Sequence, residues 1–334
     1  MARTALLKPS LNWLLVFVPG VVLLDLLAPE RHTLIFLCAC VAVIPLAGWL
    51  GKATEHLAER TTEGIGGLLN ATFGNAAELI IALFALRRGL TEVVKASITG
   101  SIIGNILLVL GAAFLAGGVR YREQEFQVGG ARVQATMLTL ASVGLIMPAV
   151  FHGLAGEAVA AERTLSLEIS GVLILSYGFL LLFSLHTHKQ LFTGTAAEAA
   201  QVEDEGHAGW SLGRSLGVLV GAAALIGWVS EILVGSAEAA AETLGMTEVF
   251  VGVIVVAIVG NAAEHSTAIL MAWKNRMDLA LGIAVGSSIQ IALFVAPVLV
   301  FASYFLGPAP MDLVFTPAEV IAMALAILLT GQIA

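Results

Sequence analysis

Charged side chains are scarce in this chain. Only 12% of its 334 residues are Asp, Glu, Lys or Arg, while 58% are hydrophobic and mean hydropathy is +0.95. A soluble domain carries about 25% charged residues, so that class is excluded. Basic residues are outnumbered, 16 against 24 acidic, for a net charge of −8, and a nucleic-acid footprint is therefore missing. Cysteine is nearly absent as well. Cys38 and Cys40 lie in one apolar run, where a helix turns them about 200° apart, so neither a disulfide nor a thiolate metal site is expected. No H-E-x-x-H motif and no nucleophile with an adjacent base occurs, which argues against an enzyme and a cofactor. The apolar runs do not alternate with polar residues, so a membrane-spanning β-barrel is excluded too.

What remains is a set of long apolar runs. They fall at about 11–29, 33–51, 64–86, 93–118, 132–151, 168–185, 212–234, 246–272, 279–304 and 314–331, each near the roughly 20 residues that cross a bilayer as helix. The chain reads as an all-α, multi-pass membrane protein with about ten spans. The first span has no cleavage-site pattern behind it and reads as a retained helix. If the N-terminus is cytoplasmic, the loops at 1–8, 52–60, 120–132, 189–214 and 274–276 hold eleven of the sixteen Lys and Arg residues, the bias that cytoplasmic loops carry.

The pentapeptide GNAAE occurs at 74–78 and again at 260–264. Sliding the chain over itself by 186 residues aligns 74–107 with 260–293 and gives ten identities in 34 positions, clustered in two blocks. That is an internal duplication. Glu78 falls in the third run and Glu264 in the eighth, so the two copies are expected to run in opposite directions. Inverted-topology repeats of this kind build secondary transporters, with the substrate site at the midplane where the repeats meet. The expected organisation is an N-terminal helix outside the repeat (1–32), a first half (33–190), an acidic cytoplasmic linker (191–211) and a second, inverted half (212–334), each half with up to five helices.

A carboxylate at the centre of a spanning helix costs from about 3 to over 10 kcal/mol and normally faces a cavity or a partner. Asn75 precedes Glu78 by three residues, as Asn261 precedes Glu264, a spacing that places both side chains on one helical face. Gly74 and Gly260 weaken the helix locally and free carbonyls to line a cavity. A second repeated block brings Ser101 and Asn105 in one half, Ser287 and Gln290 in the other. For any one of these residues, ordinary interhelical hydrogen bonding is the plain alternative. Oxygen-only ligands with two anionic carboxylates suit a hard divalent cation, calcium above all. His265 and Ser288, the neighbours of Glu264 and Ser287, point about 100° away from them on a helix and are expected to support the site without ligating.

Charge supplies a mechanism. With both Glu ionised the site carries −2, which a low-dielectric interior disfavours, and either one divalent cation or two protons neutralises it. The pair is expected to titrate jointly, protons competing with the metal. If only the neutral site can change sides, cation movement one way is linked to proton movement the other way. Glu55, Glu59 and Glu63 in one half and Glu231, Glu238, Glu242 and Glu248 in the other read either as solvated loop faces or as a vestibule that concentrates cations. In the linker, Glu198, Glu203, Asp204 and Glu205 read as solvated residues or as a regulatory cation-binding segment.

The stretches GLLNATFGNAAELIIALFALRRGLTEVVKASITGSIIGNILLVLG and VGVIVVAIVGNAAEHSTAILMAWKNRMDLALGIAVGSSIQIALF resemble the calcium/cation:proton antiporter (CAX) family of the calcium/cation antiporter superfamily. THKQLF and the acidic linker extend the likeness over nearly the whole chain. The resemblance implies eleven helices, one outside the repeat and two inverted five-helix halves joined by a cytoplasmic acidic helix. Ten apolar runs are present, so the second half is expected to be one helix short. It also implies Glu78 and Glu264 as the cation and proton carriers, with Asn75, Asn261, Ser101, Ser287 and Gln290 at matching motif positions. Calcium and protons are then the substrates, the lipid bilayer is the surroundings, a homo-oligomer is an option, and a bacterial plasma membrane is the expected location. A sodium/calcium exchanger and a cation channel remain the alternatives, the channel disfavoured because channels typically place carboxylates in symmetric rings made by several subunits.

Overall fold

The computed structural model describes residues 11–61, 63–155, 159–188 and 210–333. The acidic linker residues Glu198, Glu203, Asp204 and Glu205 lie outside the described residues. Among the described residues there is no strand, and the chain forms twelve helical segments: α1 (Leu11–Leu27), α2 (His32–Ala58), α3 (Glu63–Phe73), α4 (Ala76–Arg87), α5 (Thr91–Arg120), α6 (Val128–Ala155), α7 (Val159–Thr187), α8 (Leu212–Leu244), α9 (Val251–Gly260), α10 (Ala262–Trp273), α11 (Met277–Leu306) and α12 (Pro317–Ile333). Of these, α2, α5, α6, α7, α8 and α11 are long and apolar enough to cross a membrane, and α9 with α10 makes a seventh candidate bent by 66°. α1 and α12 are shorter apolar helices.

Several helices outrun the apolar stretches that nucleate them. α8 has 33 residues, which at 1.5 Å per residue is about 50 Å, against a hydrocarbon core of about 30 Å. Its last turns, SAEAAAETL, are built from strong helix formers, so Glu231, Glu238 and Glu242 lie exposed on a helix and not on the loops their charge suggested. Glu55 and Glu59 likewise ride on or next to the end of α2. α8 stops at Gly245, which takes the left-handed conformation at φ 66°, the usual glycine signal past a helix end.

α2 and α8 pack along each other and carry α4 against their common face. At one end Trp210 lies tilted against His56 and Trp49 of α2, with centroids 4.8 and 5.7 Å away, and Arg214 covers the Trp210 ring at 4.3 Å, which seats the start of α8. α5 crosses α9, and α11 packs on α6 and α7. Ile35, Phe36, Leu50, Ile81, Leu86, Ile98 and Ile226 are among the wholly buried side chains. Apolar residues also cover the exterior: Leu154, Phe179, Val220, Leu328 and Phe305 are exposed. On a soluble protein so many would mark an interface, whereas on this chain they face the acyl tails its composition requires.

Two features recur 186 residues apart. The turns after α4 and α10 each hold a left-handed residue, Gly89 (φ 80°) and Asn275 (φ 62°). π-helical turns interrupt α5 at Gly104–Val109 and α11 at Ile291–Val295, an irregularity that is rare and concentrated near functional sites.

Candidate functional site

Both GNAAE motifs break a helix. α3 ends at Phe73 and α4 starts at Ala76, while α9 ends at Gly260 and α10 starts at Ala262. Asn75 (φ −97°, ψ 20°) and Asn261 (φ −103°, ψ 10°) hold the N-cap positions in near-identical conformations, and neither side chain caps its own helix. Glu78 and Glu264 stand in the first turns of α4 and α10, where free N–H groups and the positive end of the helix dipole favour an anion. The breaks thus hold both carboxylates at matched places.

The asparagines do not pair with the Glu of their own motif, as spacing along an unbroken helix would have it. Because each sits at the turn, its amide swings across to the other motif's neighbourhood. Asn261 Nδ2 donates to Glu78 Oε2 at 3.2 Å and lies 3.0 Å from Ser101 Oγ, whose hydroxyl donates to Glu78 Oε1 at 2.5 Å. In the counterpart, Asn75 Nδ2 donates to Gln290 Oε1 at 2.6 Å and its Oδ1 accepts from Ser287 Oγ at 3.0 Å, with the Ser287 hydroxyl also beside Glu264. The glycines cross over in the same way. A Cβ on Gly260 would stand 3.3 Å from Glu78 Cβ, and one on Gly74 would stand 3.4 Å from Glu264 Oε1. The missing Gly260 side chain makes room for Glu78, whereas at Gly74 a Cβ would press first on Asn70 O, at 2.8 Å, and only touch Glu264.

Asn105 and His265 form a separate pair, His265 Nε2–H donating to Asn105 Oδ1 at 2.9 Å. Ser288 turns back to Ala284 O of its own helix and stays apart from the cluster, as its position one residue round the helix dictates. Two polar atoms at the site, Glu264 Oε2 and Asn105 Nδ2, are buried without a hydrogen-bond partner among the described residues. An acceptor and a donor left open beside a carboxylate pair call for an occupant such as a cation or water. Among the described residues, no group of three or more His, Cys, Asp or Glu assembles. The donors available to a cation are therefore two carboxylates and neutral amide and hydroxyl oxygens, the hard set that calcium accepts.

The two entrances to this cluster differ. On one side α5 and α9 are jammed together, since a Cβ on Gly100 would collide with Val253 Cα and one on Gly252 would fall 2.5 Å from Ala96 Cβ. On the other side Gly286 of α11, the residue 186 positions after Gly100, has nothing within 4 Å of where its Cβ would be. Exposure follows: Glu78 and Gly260 are buried, whereas Glu264 is half-buried and Gly74 exposed.

A model of the sodium/calcium exchanger protein family matches residues 31–186 and 214–333. The chain belongs to that family. Among relatives of this exchanger-family chain, a Ca(2+)/H(+) antiporter of Aphanothece halophytica is 46% identical over 338 residues, covering 96% of this chain and 88% of that one. The Ca(2+)/H(+) antiporter ChaA of Bacillus subtilis (strain 168) is 49% identical over 296 residues, covering 88% and 83%. A solved structure of native YfkE superposes with a TM-score of 0.81 at 44% identity, covering 97% of this chain and 91% of that one. The H+/Ca2+ exchanger CAX gives a TM-score of 0.65 at 14% identity over 96% of this chain and 80% of that one, a likeness of fold alone.

Sequence reasoning passed over several residues around the site of this exchanger-family protein. Gly100 and Gly252, which permit the tight crossing of α5 and α9, stood in the sequence as ordinary membrane glycines. Lys95, Asp312 and Glu319 are polar residues that no motif singled out, although two acidic residues and a lysine within or beside apolar runs were a visible signal.

Proposed function

We propose that the chain exchanges calcium, or a similar divalent cation, for protons, with Glu78 and Glu264 holding either one cation or two protons. What carries the reading is the crossed geometry: two carboxylates at matched helix breaks, each neighbourhood completed by the other motif's asparagine. Glu264 Oε2, buried and open, is where an incoming cation gains most. Asn75, Asn261, Ser101, Ser287 and Gln290 supply neutral oxygens, Gly74 and Gly260 supply space, and Asn105 with His265 supports one side. The names of two relatives, Ca(2+)/H(+) antiporters of Aphanothece halophytica and Bacillus subtilis, favour the same substrates.

The reading includes an inverted repeat of the halves 33–190 and 212–334. Its supports are the matched breaks at Asn75 and Asn261, the left-handed turns at Gly89 and Asn275 and the paired π-turns. With the N-terminus cytoplasmic, as the Lys and Arg bias favours, the jammed α5–α9 entrance faces outward and the open α3–α11 entrance faces the cytoplasm, so the cluster is in an inward-facing state. Exchange of the two entrances is the alternating-access step.

Purified protein in proteoliposomes tests this. Calcium uptake should follow an imposed pH gradient and vanish in Glu78→Gln and Glu264→Gln. Uptake driven by sodium in place of protons would instead favour the sodium/calcium reading, and flux indifferent to both gradients would rule out coupled exchange.

A further inference from the structure

The segment between α11 and α12 runs without helical structure from Gly307 to Thr316, yet Met311, Leu313 and Phe315 are buried. Such backbone inside a membrane protein must have its polar groups satisfied, and side chains from elsewhere do so. Met311 N–H donates to Ser303 Oγ at 2.8 Å, Leu313 N–H to Ser166 Oγ at 2.9 Å and Val314 N–H to Asp312 Oδ1 at 3.0 Å. Thr316 and Glu319 then form a reciprocal cap at the start of α12: Thr316 N–H donates to Glu319 Oε2 at 2.9 Å, and Glu319 N–H donates to Thr316 Oγ1 at 3.3 Å.

Into this frame α5 plugs two side chains. Lys95, buried, spends its three protons on Glu92 Oε1 at 2.8 Å, Val314 O at 3.0 Å and Asp312 Oδ1 at 3.3 Å. Thr99 Oγ1 donates to the buried Glu319 Oε1 at 2.6 Å. One residue further along α5 is Gly100, jammed on Val253, and next comes Ser101, hydrogen-bonded to Glu78. The other half ties its equivalent loop without a lysine: Gln127 N–H donates to Asp278 Oδ1 at 2.5 Å and Gln124 Nε2 to Ala272 O at 2.8 Å. The positions 186 residues away from Lys95 and Thr99 are Leu281 and Val285, and the stretch equivalent to 311–316, residues 125–130, is largely exposed. Lys95 is buried while Asp312 and Glu92 are partly exposed, and an ion pair so placed adds little stability, so its presence in one half alone is better explained by what it holds in place.

We infer that the Lys95–Asp312 and Thr99–Glu319 contacts form an anchor that seats α5 against the α11–α12 segment, holding the α5–α9 entrance shut and setting the balance between the two access states. These are positioning residues: they act through α5 and touch no substrate. The inference builds on the alternating-access reading above, but its test needs no transport.

Two single-cysteine reporters follow the entrances in full-length protein reconstituted in nanodiscs, with Cys38 and Cys40 replaced. Val256→Cys sits on α9, buried beside Val93 and Val94 of α5; Gly286→Cys sits at the open entrance. In each background the rate of reaction with a membrane-impermeant maleimide is measured for Thr99→Val, Lys95→Met and Glu319→Gln, with Thr99→Ser as the conservative rescue. Losing one charge-assisted hydrogen bond should speed Val256→Cys labelling about tenfold while slowing Gly286→Cys labelling, and Thr99→Ser should restore both rates. Should Lys95→Met or Glu319→Gln fail to fold, Thr99→Val alone decides. Unchanged Val256→Cys labelling overturns the anchor, and so does faster labelling at both reporters, which signals mere loosening. If labelling shifts as expected but the parent protein exchanges no calcium for protons, the anchor stands and the transport reading falls.

Discussion

Gly100 and Gly286 occupy equivalent places in two similar stretches, yet one touches a neighbouring backbone and the other touches nothing. Around them the two equivalent helix pairs meet differently: α5 packs along α9, while α11 makes at most slight contact with α3. Near-symmetrical sequences have folded into unequal arrangements. Packed interfaces are bistable and do not deform continuously, so the inequality is what a transporter caught on one side of its cycle should display. It also means that one substitution, made at both glycines, asks two different questions.

The largest effects are expected where the halves are alike. Removing charge from Glu78 or Glu264 takes away half of the site's −2, and calcium–proton exchange in proteoliposomes should fall about a hundredfold or more, the factor that about 3 kcal/mol at an ion-holding group implies. Equal losses in Glu78→Gln and Glu264→Gln are the prediction. Substantial exchange in either variant would mean that one carboxylate suffices and the pairing is incidental.

The glycine pair comes next and breaks the symmetry outright. In Gly100→Ala the new methyl collides with the Val253 backbone, and overpacking of about 1–3 kcal/mol should lower the thermal midpoint by several degrees. In Gly286→Ala the methyl enters open space, so the midpoint should hold or rise slightly while exchange slows, because the methyl obstructs α3 when that entrance must close. A Gly286→Ala protein that exchanges at the normal rate would remove the idea that α3 closes on this face. Thermal denaturation and flux, measured on the same preparations, separate the two outcomes.

How much of this was legible beforehand depends on the range of the interaction. Apolar runs located the helices because burial in lipid is a local property of composition, and the repeated GNAAE marked both carboxylates. Helix ends were less visible, since Ala and Glu carry α8 well past its apolar stretch by propensity that hydropathy does not record. The asparagines were placed on the site but given the wrong partner. Spacing of three implies a shared face only on a continuous helix, and Asn75 and Asn261 occupy the breaks just before the helices that carry Glu78 and Glu264. The seating of α5 by Lys95 and Thr99 was invisible because its partners lie more than 200 residues away along the chain.

Within the site, the crossed amides give the next smaller effect. Asn261 serves Glu78 directly, whereas Asn75 serves Ser287 and Gln290 and reaches Glu264 only through Ser287. Asn261→Ala should therefore raise the KM for calcium more than Asn75→Ala does, by about tenfold against a few-fold. Equal effects would show that each amide acts alike once the entrances exchange, which would sharpen the symmetry at the expense of the static picture.

The smallest effect is expected at the pair that only one half possesses. His265 holds Asn105 through a hydrogen bond of 2.9 Å, and the residues aligned with them, Leu79 and Ile291, are apolar, so the contact cannot be required by both access states in the same way. His265→Gln keeps a donor of similar reach and should change calcium KM less than about twofold. His265→Leu mimics the other half, leaves Asn105 Oδ1 without its donor as well as Nδ2, and should cost about 1–3 kcal/mol in stability with a modest rise in KM. If His265→Leu instead abolished exchange while the fold held, the imidazole would have to be counted among the groups that carry protons, and more than two protons would be exchanged for each divalent cation.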